Sequence, residues 1–361
     1  MLVFGTRPEA IKMCPLIKEL KKHEKFETIV CVTGQHKQML SQVLDAFEII
    51  PDFNLSIMKE NQNLFDVTTS ILERFVTVLD QVNPDIVLVH GDTSTTFATA
   101  LSAFYKQIPI GHVEAGLRTN NIYSPFPEEF NRKAVSIISK FDFAPTENAK
   151  LNLIKEGKQP DLIFVTGNTA IDALRTTVKD SYTHEFFKWV GDSKLILITA
   201  HRRENLGEPM RNMFRAINRI LNEYDDVKAV YPIHFNPTVR KIANEIFSGS
   251  ERIKLIDPLD VIDFHNFMSK SYLILTDSGG IQEEAPSLGV PVLVMRDTTE
   301  RPEGVVAGTL KLVGTNENSI YNNIKLLLED ITTYQKMSNT SNPYGDGFAS
   351  EKIVEILDKY L

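Results

Sequence analysis

Cysteine is almost absent: 361 residues hold two, Cys14 and Cys31, with no CxxC pair and no Cys/His metal spacing. A disulfide framework is thereby excluded, and two buried free thiols are expected. No apolar run approaches the ~18 residues that a membrane-spanning helix needs. The N-terminus shows no basic region leading to a small-residue cleavage site, so a cytoplasmic protein is expected. G-x-G-x-x-G, G-x-x-x-x-G-K-[ST], H-E-x-x-H and D-x-D are also missing, which removes support for nicotinamide binding, ATP hydrolysis and metal-held diphosphate. Basic residues are in the minority, 39 against 47 acidic, for a net charge of -8. That balance argues against nucleic acid as a partner and leaves room for a locally basic anion site.

What is present is a globular composition, 42% hydrophobic and 24% charged, in a chain long enough for two α/β domains of ordinary size. Short Val/Ile-rich runs alternate with segments of helical period: LVFG, TIVCVTG, DIVLVHGD, IPIGHVE, FDFAP and LIFVTGN, then KLILITAHR, KAVYPIH, RIKLID, SYLILTDSGG, PVLVMRD and LKLVG. Strands alternating with helices mean parallel sheets covered on both faces. Two such series predict two doubly wound, Rossmann-like α/β domains facing a cleft, 1–172 and 173–361. The closing segment FASEKIVEILDKYL reads as an amphipathic helix, free to pack back on the first domain. The first strand begins at Met1 with almost no lead-in, so a few further native residues are expected ahead of it.

Ligands of open parallel sheets bind at the carboxyl ends of the strands. Five polar stretches fall there: GTRPEA, GDTSTT, VEAGLR, HRREN and DSGGIQEE. In DSGGIQEE, Gly279 and Gly280 let backbone approach an anion at a helix start, with Glu283 and Glu284 in reach of ribose hydroxyls. A plain glycine turn with acids at a helix N-terminus explains the same letters. Arg7, beside Pro8 at a second strand-to-helix junction, is placed to bind a diphosphate or simply to face solvent. His201 suits phosphate contact or proton transfer, and His234 has an even claim to either role or none. Asp92 is a carboxylate at a strand end or an ordinary N-cap.

The stretch HVEAGLRTNNIYSPFPEEFNR gathers Glu114, Glu128, Glu129, Arg118 and Arg132 around one strand end. If Asp92, Glu114 and Glu128 face one another, two carboxylates ~6 Å apart at an effective dielectric of ~20 repel by roughly 3 kcal/mol, about two pKa units. One then holds its proton at neutral pH while another does not, which supplies an acid and a base. Arg118 and Glu129 are expected to pair across the loop.

Taken in order, GTRPEAIKM, HGDTSTTFA, HVEAGLRT, SPFPEEFNR, HRREN and DSGGIQEEAPSLGVPVLVMRDTTERPE resemble the bacterial non-hydrolysing UDP-N-acetylglucosamine 2-epimerases over nearly the whole chain. The resemblance implies a glycosyltransferase-B-like fold, a homodimer, UDP bound mainly by the C-terminal domain, and no metal or redox cofactor. It also implies interconversion of UDP-N-acetylglucosamine and UDP-N-acetylmannosamine, the latter supplied to bacterial surface polysaccharide. The C2 hydrogen of this sugar is barely acidic, and no dinucleotide fingerprint supports transient oxidation. That leaves elimination of UDP to a glycal, followed by re-addition.

Carried over residue by residue, the resemblance makes Asp92, Glu114, Glu128 and His201 catalytic. It makes Arg7, Lys12, Arg132, Phe264, Ser278, Gly279, Gly280 and Glu284 substrate-binding. Gln35, Gln38, Arg202 and His234 match a second site at which substrate activates the enzyme, although an arginine expected after Lys59 is here Asn61. The alternatives are a hydrolysing relative that releases free N-acetylmannosamine, a glycosyltransferase of the same fold, and a non-catalytic nucleotide-sugar sensor.

Overall fold

The computed structural model describes residues 1–34, 37–59, 62–299 and 301–361, with the side chains of Lys37 and Gln38 also left out. The described chain divides into two compact units, Met1–Thr176 with Tyr344–Leu361, and Thr177–Pro343.

The first unit is a parallel sheet of β1 (Leu2–Phe4), β2 (Val30–Val32), β3 (Phe53–Asn54), β4 (Val87–His90), β5 (Ile110–Val113), β6 (Phe141–Ala144) and β7 (Ile163–Val165). Their order is β3-β2-β1-β4-β5-β6-β7. The Val/Ile-rich runs are buried because helices cover both faces. On one face Val3, Cys31, Val87 and Val89 pack with Phe75 and Ile71 of the helix Leu64–Val82. Burial pushes the Cys14 and Cys31 thiols up to about 12, and both are free.

In this order the chain reverses direction across the sheet between β1 and β4. The loops after those two strands, GTRPEA and GDTSTT, are therefore neighbours at the carboxyl edge, where α/β sheets bind ligands.

The second unit repeats the architecture with β8 (Lys194–Thr199), β9 (Val227–Pro232), β10 (Ile253–Ile256), β11 (Leu273–Thr276), β12 (Val292–Val294) and β13 (Leu310–Leu312), all parallel in the order β10-β9-β8-β11-β12-β13. Ile196, Ile198, Tyr231, Leu273 and Leu275 pack against Met213, Phe214 and Ile217 of the helix Glu208–Glu223. Its reversal lies between β8 and β11, which brings HRREN beside DSGG.

The division places the boundary later than residue 172, and the closing helix does pack back on the first unit. The helix Thr169–Thr177 runs unbroken past residue 172, so the first unit extends to Thr176. The terminal segment Tyr344–Leu361 also belongs to that unit. Asn168 N–H donates to Tyr344 O (2.7 Å), and Asp172 accepts the N–H groups of Ala349 (3.2 Å) and Ser350 (2.6 Å) at the start of the last helix. The Tyr360 ring lies 5.5 Å from that of Phe141 and 5.6 Å from that of Phe164. Among the described residues no helix is long and apolar enough to cross a membrane.

Candidate active site

In the first unit the β1 and β4 loops are joined through Glu9, which is 2% exposed. Thr6 caps the helix Arg7–Leu20 in a reciprocal capping box with Glu9. Glu9 Oε2 accepts the N–H of Gly5 (3.0 Å) and Thr6 (2.8 Å), while Oε1 accepts the hydroxyls of Thr93 (2.7 Å) and Thr96 (3.1 Å). A Cβ on Gly5 would lie 2.0 Å from Thr33 Oγ1, so only glycine fits where the loops close up. This frame puts Arg7 at the first helical position, half-buried, and Lys12 just over one turn further on.

Lys12 Nζ forms an ion pair with Glu114 Oε2. Asn168 Nδ2 donates to the same oxygen (2.9 Å), and His90 Nε2 faces it at 3.6 Å. Glu114 is 9% exposed and sits in the left-handed backbone region at φ 63, a conformation that costs a non-glycine residue on the order of 1 kcal/mol or more. Burial pushes its pKa up, but Lys12 and His90 outweigh burial and hold it well below the ordinary glutamate value. The expected repulsion that would raise one carboxylate's pKa therefore does not govern Glu114, because an ammonium faces it.

Asp92 is likewise paired, with Arg132 Nη2. Asn131, beside it on the helix Glu128–Ile138, donates from Nδ2 to Asp92 O (2.9 Å). The same helix separates its two leading glutamates. Glu129, 0% exposed, accepts from Thr119 N (3.1 Å), Asn120 N (3.0 Å) and Arg132 Nη1 (3.0 Å), and so holds the loop. Glu128 is half-buried and lies one turn before Arg132, at a helix N-terminus that favours negative charge.

The expected Arg118–Glu129 pair is not formed. Arg118 turns instead to Glu156, with bonds of 2.9 and 2.7 Å, and to Ser136 Oγ at 3.0 Å. Glu129 is already saturated by the loop amides.

In the second unit Asp277, fully buried, accepts the backbone N–H groups of His201 and Arg202, both at 2.9 Å. The half-exposed His201 ring stacks on His234, centroids 5.4 Å apart at 11°. Burial, with His201 and Arg240 nearby, lowers the His234 pKa.

Ser278, Gly279 and Gly280 follow β11 as expected, but the helix after them is one turn, Ile281–Glu284, continued as a 3-10 turn. So short a helix concentrates little dipole. Positive charge comes from Arg301, which packs on Gly279: a Cβ there would lie 2.6 Å from Nη1 and 3.0 Å from Cζ. Arg301 Nε also binds Glu283 (2.8 Å). Glu283 is thus committed inward at 1% exposure, while Glu284 lies 3.7 Å from His265 Nε2. Phe264 is half-buried on the helix Val261–Ser269.

Gln35 and Asn61 lie outside the described residues, as does the Gln38 side chain. Of the activation set, Arg202 and His234 are described. Arg202 Nε donates to Asp277 O at 3.0 Å.

Glu9, His90, Asn168, Asp277 and Arg301 are part of this arrangement without being among the residues expected from the sequence. T-x-x-E before a helix signals Glu9, and Asp277 immediately precedes the SGG motif. His90, Asn168 and Arg301 act across 18 to 54 positions, and no local pattern marks them.

A profile of the UDP-N-acetylglucosamine 2-epimerase family matches residues 18–358. The UDP-N-acetylglucosamine 2-epimerase of Bacillus subtilis (strain 168) is 64% identical over 357 residues, spanning 99% of this chain and 94% of that protein. Among solved structures, S. aureus MnaA with UDP has a TM-score of 0.91 at 56% identity, covering 100% of this chain and 96% of that one. The Neisseria meningitidis UDP-GlcNAc 2-epimerase bound to UDP-GlcNAc has a TM-score of 0.90 at 52% identity, covering 99% of each chain. The fold is of glycosyltransferase-B-like type, built from two Rossmann-like α/β units. A chain with these paired strand-end loops, this carboxylate cluster and this extent of similarity belongs to the UDP-N-acetylglucosamine 2-epimerase family.

Proposed function

We propose that this protein interconverts UDP-N-acetylglucosamine and UDP-N-acetylmannosamine without net hydrolysis, by eliminating and re-adding UDP. The observation that carries the proposal is Glu114, an ionised carboxylate held by Lys12 and Asn168 and faced by His90 at the end of β5, with a second carboxylate, Asp92, paired with Arg132 after the adjacent strand β4. Family membership and relatives solved with UDP or UDP-GlcNAc support the substrate class.

One carboxylate removes the C2 proton as the C1–O bond breaks and UDP departs with the bonding pair. The glycal that remains takes a proton at C2 on the opposite face from a second group, and the UDP oxygen rebinds C1. Glu114, Asp92 and Glu128 serve these proton transfers. Lys12 sets the Glu114 charge, and substrate entering beside it competes for that ammonium. A carboxylate thus loosened regains the basicity that proton abstraction needs.

UDP is held in the second unit. Ser278, Gly279 and Gly280 lie at the β-phosphate with Arg301, Glu284 at the ribose, Phe264 against the uracil and His201 at the diphosphate, and Arg7 is a substrate-binding arginine of the first unit. The protein works as a cytoplasmic homodimer without metal or redox cofactor and supplies N-acetylmannosamine for surface polysaccharide. Gln35, Gln38, Arg202 and His234 form a second nucleotide-sugar site through which substrate activates it. Replacing Gln38 with Ala and finding unchanged activation would remove that last element.

The test is proton NMR of the purified protein with UDP-N-acetylglucosamine in heavy water. A second UDP-sugar carrying deuterium at C2 is expected. Free N-acetylmannosamine would identify a hydrolysing enzyme instead. No turnover without an acceptor sugar would favour a transferase, or a sensor if no acceptor restores it.

A further inference from the structure

The two oxygens of the buried Asp277 carboxylate are used unequally. Oδ2 accepts three N–H donors: His201 N at 2.9 Å, Arg202 N at 2.9 Å and Asn205 Nδ2 at 3.2 Å. Oδ1 is also shut off from solvent but has no hydrogen-bond partner among the described residues. Facing it, 3.7 Å away, is Nδ1 of His201. A buried acceptor without a donor is uncommon in a native protein, and at a site it points to a partner that arrives later.

The carboxylate is the fixed member of this couple. Asp277 N–H donates to Thr199 O (3.0 Å) and Asp277 O accepts Arg202 Nε (3.0 Å), so the backbone is held on both sides. The imidazole is the adjustable member. It is 44% exposed and stacks on the ring of His234.

We propose that Asp277 is a positioning residue for His201: when a nucleoside diphosphate binds, the imidazole closes on Oδ1 and donates Nδ1–H to it, which aims Nε2 at the diphosphate. Closing from 3.7 Å to hydrogen-bond length takes a ring shift of only about 1 Å. With Nδ1–H committed to the carboxylate, Nε2 is the nitrogen left to engage a phosphate oxygen, as in other sites where a carboxylate orients a working imidazole. Asp277 thereby does two jobs with two atoms, Oδ2 shaping the HRREN loop and Oδ1 setting the tautomer of its histidine. This rests on the reading of His201 as a diphosphate contact.

The test is a double-mutant cycle with UDP as the probe, titrated calorimetrically into the full-length protein and its Asp277→Asn, His201→Asn and doubly substituted forms. Asp277→Asn is expected to weaken UDP binding about tenfold when His201 is present and less than twofold when it is not. Equal losses in both backgrounds would mean that Asp277 only builds the loop, and no loss in either would mean that Oδ1 does nothing for the ligand; each result overturns the proposal. If His201→Asn alone leaves UDP affinity unchanged, the diphosphate role of His201 falls, and this inference with it.

Should Asp277→Asn fail to fold, the unsubstituted protein supplies the answer through nitrogen NMR of 15N-histidine-labelled material with and without UDP. A proton on Nδ1 of His201 in the UDP complex is expected. A bare Nδ1 in that complex would overturn the proposal.

Discussion

Lys12→Met keeps most of the alkyl stem and deletes the ammonium that faces Glu114. Both side chains are largely buried, at 12% and 9% exposure, so water does little to screen the pair. Two unit charges ~4 Å apart at an effective dielectric of ~20 attract by about 4 kcal/mol. Asn168 and His90 remain at the same oxygen and recover part of this, which leaves a destabilisation of about 3 kcal/mol.

The pH dependence follows from the competing influences on Glu114, burial upward and Lys12 with His90 downward, the second prevailing. In the intact protein the folded pKa lies below the unfolded one. The carboxylate then contributes stability above the unfolded pKa, and that stability is lost as pH falls through the folded value. Without Lys12 burial dominates and the folded pKa rises above the unfolded one. The folded variant then binds more protons than its unfolded chain, so its stability falls as pH rises.

The gap between the two proteins, about 3 kcal/mol at pH 8, is therefore expected to be measurably smaller at pH 5, through the variant's gain as its carboxyl takes up a proton. Urea unfolding followed by far-UV circular dichroism at both pH values measures it, with Lys12→Met/Glu114→Gln as the control that removes both charges. A gap of equal size at pH 8 and pH 5, or a double variant no more stable than the single one, would refute the reasoning.

Three further outcomes are expected. Glu129→Gln strips a fully buried carboxylate of its charge against Arg132 and two loop amides, and should cost about 2–3 kcal/mol in a thermal melt; an unchanged melting temperature would contradict the loop-holding role. Gly279→Ala places a Cβ against the end of the flexible Arg301 side chain, so folding should survive while UDP affinity drops about tenfold by calorimetry; full affinity would show that this approach does not matter. Gly116→Ala demands φ +87 of alanine and sets Cβ 2.2 Å from Ala149 O, so a loss of about 3 kcal/mol or more is expected; a melting temperature equal to that of the unsubstituted protein would show that the backbone can yield there.

The identity of adjacent residues and their depth in the structure are different kinds of information. Glu128 and Glu129 are indistinguishable as letters, yet the ~100° turn between successive helical residues buries Glu129 fully and leaves Glu128 half-buried. Glu283 and Glu284 are both buried, yet they turn to different partners, Arg301 and His265. Arg118 has acidic neighbours in the sequence and bonds to Glu156, 38 positions away. Helical phase and long-range pairing decide such cases.

The sequence alone determined the class of fold, because strands buried on both faces must be apolar throughout and helices covering them must be amphipathic, and both patterns are local. It also placed GTRPEA, GDTSTT, VEAGLR, HRREN and DSGG at strand ends. Strand order was beyond it: that β1 lies against β4 and β8 against β11 depends on crossovers whose direction no short window records. Only tertiary packing therefore set Glu9 between two loops, two donors and the His90 ring at one oxygen of Glu114, Arg301 over Gly279 and the last helix on the first unit. Their partners are tens to hundreds of residues apart, and contact at that range is a property of the folded chain.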